Sequence, residues 1–306
     1  MPVTIPWDRL HRRLLSPRTR QWSERVILVI AIASFLVHLL LIFLADAGLL
    51  AVPEGGGLLR NPIAAIYTPF SFILVYEVYL LLYYLPQSIT TYITKQYEII
   101  TLIIIRRLFK DLSNLSLSSD WFSIKYDLQF TYDLVASVLL FFLIYLFYRQ
   151  SRKPGRPGPR SQHPGVARFI RIKKALASAL VPVLMFVALY AFIRWSMGLL
   201  HPGSGEGVSF ENINNIFFEQ FFTILIIADV VLLLVSFFYT DEFHKVIRNS
   251  GFVISTILIR LSFSVSGLLN TLLIVAAIVF GLLILVIHNR FEMQIAQEPP
   301  AGPDQG

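Results

Sequence analysis

Stretches of about 20 apolar residues recur along this chain, the length a helix needs to cross ~30 Å of hydrocarbon. In residues 26–45 the only potentially charged side chain is His38. Comparable runs fall at about 64–86, 130–148, 172–200, 216–240 and 268–288. A membrane β-barrel needs ~10-residue alternating segments instead, and the sequence has none. Charged residues make up 15% of the chain, against about 25% in soluble domains. The sequence predicts an all-α, polytopic helical membrane protein.

The net charge of +7 is not spread evenly. Six arginines lie between residues 9 and 25, and nine Lys or Arg lie between 149 and 174 with no acid among them. Short basic segments beside spans mark the cytoplasmic side, so the expectation is a multi-pass protein of the plasma (inner) membrane with a cytoplasmic amino terminus. The second segment, Arg149, Arg152, Lys153, Arg156, Arg160, Arg168, Arg171, Lys173 and Lys174, is expected to contact anionic lipid headgroups, at about 1 kcal/mol per basic residue near the surface. Charge in this setting does not point to nucleic acid. The amino terminus lacks the short basic region and small-residue cleavage site of a signal peptide. With no cysteine in the chain, disulfide and thiolate chemistry are excluded.

The pattern of spans restarts after residue 149. A basic tail (1–24) precedes a first four-helix repeat (25–148), then a Pro- and Gly-rich basic linker (149–171), a second repeat (172–290) and a disordered tail (291–306). Gly48-Leu49-Leu50 corresponds to Gly198-Leu199-Leu200, Glu77 to Asp229, and Arg106 to Arg260. Each of these arginines follows a similar run, Thr101-Leu102-Ile103-Ile104-Ile105 or Ser255-Thr256-Ile257-Leu258-Ile259. If both basic segments are cytoplasmic, an even number of crossings separates them, which makes 91–112 the fourth span. Two tandem four-helix repeats and about eight spans follow, with parallel halves. Residues 251–288 must then hold two crossings around 262–267; a single tilted helix there would leave seven.

Ionisable groups near mid-bilayer cost roughly 2.5–3.5 kcal/mol on insertion scales, so they have partners or line a wet cavity. Glu77 and Asp229 are central in their runs, about 14 Å and 16 Å above the inner face at 1.5 Å per residue. Arg260 reaches Asp229's height if its helix starts near Gly251. Arg106 reaches Glu77's if the third helix enters the membrane near Tyr97, leaving 88–96 along the interface. Glu77–Arg106 and Asp229–Arg260 are therefore expected ion pairs, either structural locks or parts of an ion path. Arg107 is expected to snorkel outward with Lys110, and Glu98 to be solvated near the inner boundary. Asp133, Arg194 and Glu219 belong near outer span ends, where hydration is cheap. His38 reads as a buried hydrogen-bonding residue. Tyr76, like Tyr79, is deep enough to bond within the bundle beside Glu77.

A four-helix unit with an acid at the centre of helix two and arginines on another helix resembles the voltage-sensor module of ion channels. The resemblance would cover most of the chain twice and implies that Glu77 and Asp229 act as counter-charges to the arginines. In that family the basic residues recur every third position on the fourth helix. Here Arg106, Arg107 and Lys110 lie on the third, and the second copy has essentially only Arg260. No selectivity-filter run is present. No nucleophile elbow, His-Glu-x-x-His or phosphate-cradling glycine motif is present either, and no two of the six histidines stand at metal-ligand spacing. The sequence therefore predicts neither an enzyme nor a bound cofactor or metal. It predicts an ion-conducting or voltage-responsive membrane protein, or alternatively a non-transporting scaffold or regulatory subunit of a membrane assembly. Its partners would be the lipid bilayer, anionic headgroups, and a second copy or another membrane protein.

Overall fold

The computed structural model describes residues 6–49, 65, 67–112, 125–152, 164–200, 210–239, 242–265, 267–295 and 297. These residues form α1 (Pro6–Leu14), α2 (Pro17–Asp46), α3 (Tyr67–Tyr84), α4 (Ile89–Leu112) and α5 (Lys125–Ser151). They continue as α6 (Pro164–Leu200), α7 (Phe210–Phe237), α8 (Phe243–Ser262) and α9 (Leu268–Ile295). No strand occurs among the described residues.

Local chemistry sets several boundaries. Ser16 caps α2, its hydroxyl accepting from Thr19 N at 3.0 Å, and Pro17 follows at a position where no N–H is needed. At the other end the chain turns through Gly48 with φ of 72°, a left-handed conformation that glycine adopts without a Cβ penalty. Gly267, with φ of 74°, serves the turn between α8 and α9. Residues 251–288 are thus two helices that pack on each other, and the single tilted helix is not formed.

Among the described residues, five segments are long and apolar enough to cross a membrane: Arg9–Asp46, Leu128–Ser151, Ala167–Tyr190, Gln220–Phe237 and Leu268–Ile295. Thr68–Tyr84 in α3 is apolar but shorter. The charges of α4 and α8, among them Lys95, Glu98, Arg106 and Arg107 on α4 and Lys245, Arg248 and Arg260 on α8, set those two helices apart. The apolar side chains also face outward: Val29, Phe43, Val138, Met185 and Phe186 are each about two-thirds exposed. Water penalises such a surface whereas lipid does not, an arrangement compatible with an integral membrane protein.

The basic amino-terminal segment, expected as a tail, is helical from Pro6. Leu15 between α1 and α2 is buried, and α1 packs on α6. At the other end α9 continues through Ile295, beyond the expected tail boundary at 290. Lys153, Arg156 and Arg160 of the linker and the glycine loops at 55–57 and 203–207 lie outside the described residues.

Consecutive helices pack from α2 to α5 and from α6 to α9; α3 also meets α6 and α7, α4 meets α8 and α5 meets α9. The centre is aromatic. Tyr97 of α4 lies edge-on to Phe147 of α5 at 5.0 Å, and Phe147 is 5.7 Å from Phe252 of α8. The Ser255 hydroxyl spends its only proton on Ala277 O (2.6 Å), so the Tyr97 hydroxyl is the donor in its 2.6 Å bond to Ser255. Small residues make this approach possible. A Cβ at Gly281 would collide with the Tyr97 hydroxyl, and one at Gly251 would lie 2.8 Å from Ile284.

Candidate functional site: two buried ion pairs and an adjoining cavity

Each pair joins consecutive helices at matching positions. Glu77 stands seven residues before the end of α3 and Asp229 eight before the end of α7. Arg106 and Arg260 each stand 17 residues after the start of α4 and α8. Arg106 Nη2 donates to Glu77 Oε2 at 2.6 Å, and Arg260 Nη2 donates to Asp229 Oδ2 at 2.8 Å. All four side chains are buried. Both juxtapositions match those expected, although α4 and α8 begin at Ile89 and Phe243 rather than near Tyr97 and Gly251.

The surroundings of the second pair were not anticipated. Residues 88–96, expected along the interface, instead open α4, and Tyr92, Thr94 and Gln96 are buried there. The Tyr92 hydroxyl donates to Asp229 Oδ1 at 2.9 Å, and Gln96 Nε2 approaches Oδ2 at 3.4 Å. Gln96 Oε1 also accepts from Arg260 Nη2 at 3.4 Å. Among the described residues, Arg260 Nη1 is buried without a hydrogen-bond partner, and its guanidinium lies 5.9 Å from the Phe222 ring. The polar spacing of Tyr92 and Gln96, one helical turn apart, was the available signal. Their partner across 137 and 133 residues had none.

Arg107 does not snorkel outward. Its Nε lies 2.6 Å from Asp133 Oδ2, its Nη2 donates to Asp133 Oδ1 at 2.9 Å, and its Nη1 donates to Asn270 Oδ1 at 2.8 Å. Asp133 is fully buried rather than hydrated, and it also accepts from Thr271 Oγ1 at 2.8 Å. A buried carboxylate needs several donors, and this set ties α4 to α5 and α9. The side chains of Lys110, Arg194 and Glu219 lie outside the described residues.

The remaining expected residues fall in simpler settings. His38 is buried, with Nδ1 2.5 Å from Thr68 Oγ1. Tyr76 donates to Glu24 at 3.0 Å and Tyr79 to Leu14 O at 2.9 Å, so these hydroxyls tie α3 to the amino-terminal helices rather than to Glu77. Glu98 is partly exposed and pairs with Lys95 at 2.6 Å. Of the basic residues expected at lipid headgroups, Arg149, Arg168 and Arg171 are exposed. Arg152 bonds and stacks on Tyr148, and Lys174 is partly exposed. Lys173 points inward and is buried, because it shares the stripe of α6 that continues through Ala177, Leu180, Val181 and Leu184.

The fold also unites histidines far apart in sequence. The rings of His244 and His288 stack at 5.1 Å. Their ligand atoms and that of Glu292 lie within 4.8 Å of one another. These three are the described residues that could hold a metal ion. Arg248 stands against them, donating from Nη1 to His288 Nε2 at 2.9 Å, and its charge opposes a divalent cation. At the start of α8, outside the apolar segments, exposed Glu242 accepts from Lys245 at 2.6 Å. That bond holds its carboxyl below the ordinary value.

A cavity of about 580 Å³ lies among the turn between α3 and α4, α4 itself, α6, α7 and α8. Its lining includes Asp229, Tyr92, Lys173, Arg248, Asn249 and Ser236, set in mostly apolar walls such as Ile93, Leu232 and Val253. Glu77 and Arg106 do not line it. No family of proteins, no curated protein and no solved structure matches this chain.

Proposed function

We propose that the chain is a multi-pass membrane protein that moves ions, with the Asp229–Arg260 pair as the charged centre of the path. The supporting observation is that Asp229, though buried, lines the 580 Å³ cavity while bonded to Arg260. Ionisable groups inside a membrane bundle characteristically face water-filled cavities and mark ion pathways. The spare Nη1 of Arg260 leaves a donor for an ion or water there.

The like-with-like meetings of α3 with α7, α4 with α8 and α5 with α9 support a duplicated four-helix unit, with α4 and α8 as inner helices of an eight-span bundle. In this reading the first pair has become a structural lock, because Glu77 and Arg106 stand apart from the cavity. The same dry packing favours the second reading, a scaffold subunit in which both pairs only hold helices together.

Ion flux in proteoliposomes under an imposed membrane potential separates the two. Asp229→Asn is expected to change flux at least tenfold with the fold intact. Glu77→Gln, in folded protein, is expected to change it much less. Absence of flux for cations, anions and protons in correctly inserted wild type would leave the scaffold reading.

A further inference from the structure

The cavity beside Asp229 carries an excess of positive charge. Asp229 itself is held by Arg260 at 2.8 Å. Lys173 and Arg248 both line the cavity, and among the described residues neither has a carboxylate within 4.0 Å. Lys173 is 7% exposed. Its ammonium donates to the Gln87 carbonyl at 2.5 Å and lies 5.4 Å from the Phe169 ring, which satisfies one of three donors. Arg248 bonds only neutral partners, Asn249 Oδ1 at 3.1 Å and His288 at 2.9 Å. Gln87, Ser88, Ile89 and Thr90, also in the lining, are the amino-terminal end of the 24-residue helix α4. The positive end of its dipole therefore adds to the two cations.

Lys173 is buried and Arg248 half-buried, and the carboxylates that act on them, Asp229 on Lys173 and Glu242 and Glu292 on Arg248, lie beyond 4.0 Å, so a bound anion would give both a direct partner. The walls specify more than an anion. Ile93, Phe169, Ile170, Leu232, Leu233 and Val253 make most of the lining apolar. Along α7 the cavity extends from Asp229 to Tyr239 just past the helix end, about 15 Å at 1.5 Å per residue. Its volume falls in the range of small-molecule sites, ~300–1,000 Å³.

We infer that this cavity binds an amphiphile with an anionic headgroup, an anionic phospholipid drawn from the bilayer, with its phosphate between Lys173 and Arg248 and its first methylenes along Ile93, Leu232 and Val253. The inference rests on the chain being embedded in a membrane and does not depend on ion transport. It assigns Lys173 a specific internal contact, distinct from the surface attraction of Arg168 and Arg171.

The test is native mass spectrometry of detergent-purified protein equilibrated with equal phosphatidylglycerol and phosphatidylcholine. Wild type is expected to retain phosphatidylglycerol with roughly tenfold preference, consistent with two basic contacts. Lys173→Gln combined with Arg248→Gln is expected to reduce the preference to within about twofold. Ser236→Phe, which fills the cavity without altering charge, is expected to lower occupancy of both lipids, so the inference stays testable if the charge variant fails to fold. Inorganic phosphate at millimolar concentration is expected not to compete; full competition would show a free-anion site and overturn the lipid assignment. Equal retention of the two lipids by wild type, or an unchanged preference in the folded double variant, would also overturn it. Flux measured on the same preparations keeps the tests apart, since binding without flux removes only the transport reading.

Discussion

Tyr92 of α4 donates to Asp229 of α7 at 2.9 Å, so the acid of the second half of the chain is held partly by the first. Beside Glu77 on α3, the hydroxyls of Tyr76 and Tyr79 reach Glu24 and Leu14 instead. The two acids thus occupy matching sequence positions in unlike surroundings, and only Asp229 adjoins the cavity.

Tyr92→Phe removes one donor from a buried carboxylate while keeping the ring. Leaving a buried acceptor unsatisfied costs about 1–3 kcal/mol. Thermal unfolding in detergent is expected to show that loss for Tyr92→Phe and almost none when Asp229→Leu, which removes the acceptor, is already present.

Glu77 and Arg106 are expected to be strongly coupled. Removing either partner alone strands a buried charge, at about 3–5 kcal/mol, whereas replacing both with apolar side chains of similar size is close to neutral. A double-mutant cycle with Glu77→Met and Arg106→Met checks this. Additive losses would show that the 2.6 Å contact contributes no coupling.

Gly281→Ala places a methyl group against the Tyr97 hydroxyl. Either Tyr97 leaves Ser255 or α9 moves away from α4, and overpacking of this kind typically costs 1–3 kcal/mol. Combining it with Tyr97→Phe, which removes the colliding oxygen, is expected to restore much of the loss in melting temperature.

Glu242 supplies a pH dependence of defined sign. Its carboxyl is lowered by the bond from Lys245, so its stabilising contribution is present above the unfolded-state value near 4.5 and is lost as pH falls through the folded value. Because Glu242 is exposed, solvent screening holds the effect below about 1 kcal/mol. The melting-temperature difference between wild type and Glu242→Gln is expected to be small at pH 7 and to shrink as pH falls below about 4.5 through the folded value.

Helical character, the outward apolar faces and the two acid–arginine pairs were legible in the sequence, because hydropathy and rise per residue act within one helix or between consecutive ones. Spacing matched the arginines to the acids, but on helix starts near Tyr97 and Gly251, whereas α4 starts at Ile89 and α8 at Phe243. The inward turn of Lys173 could also have been read, since it continues the period of Ala177, Leu180 and Leu184. The tertiary structure decided the rest. Tyr92 and Gln96 meet Asp229, and Arg107 meets Asn270, only because helices far apart in sequence pack side by side. Periodicity identifies which face of a helix is buried but not which helix covers it. The partner of a buried polar group is therefore fixed only when the whole bundle assembles.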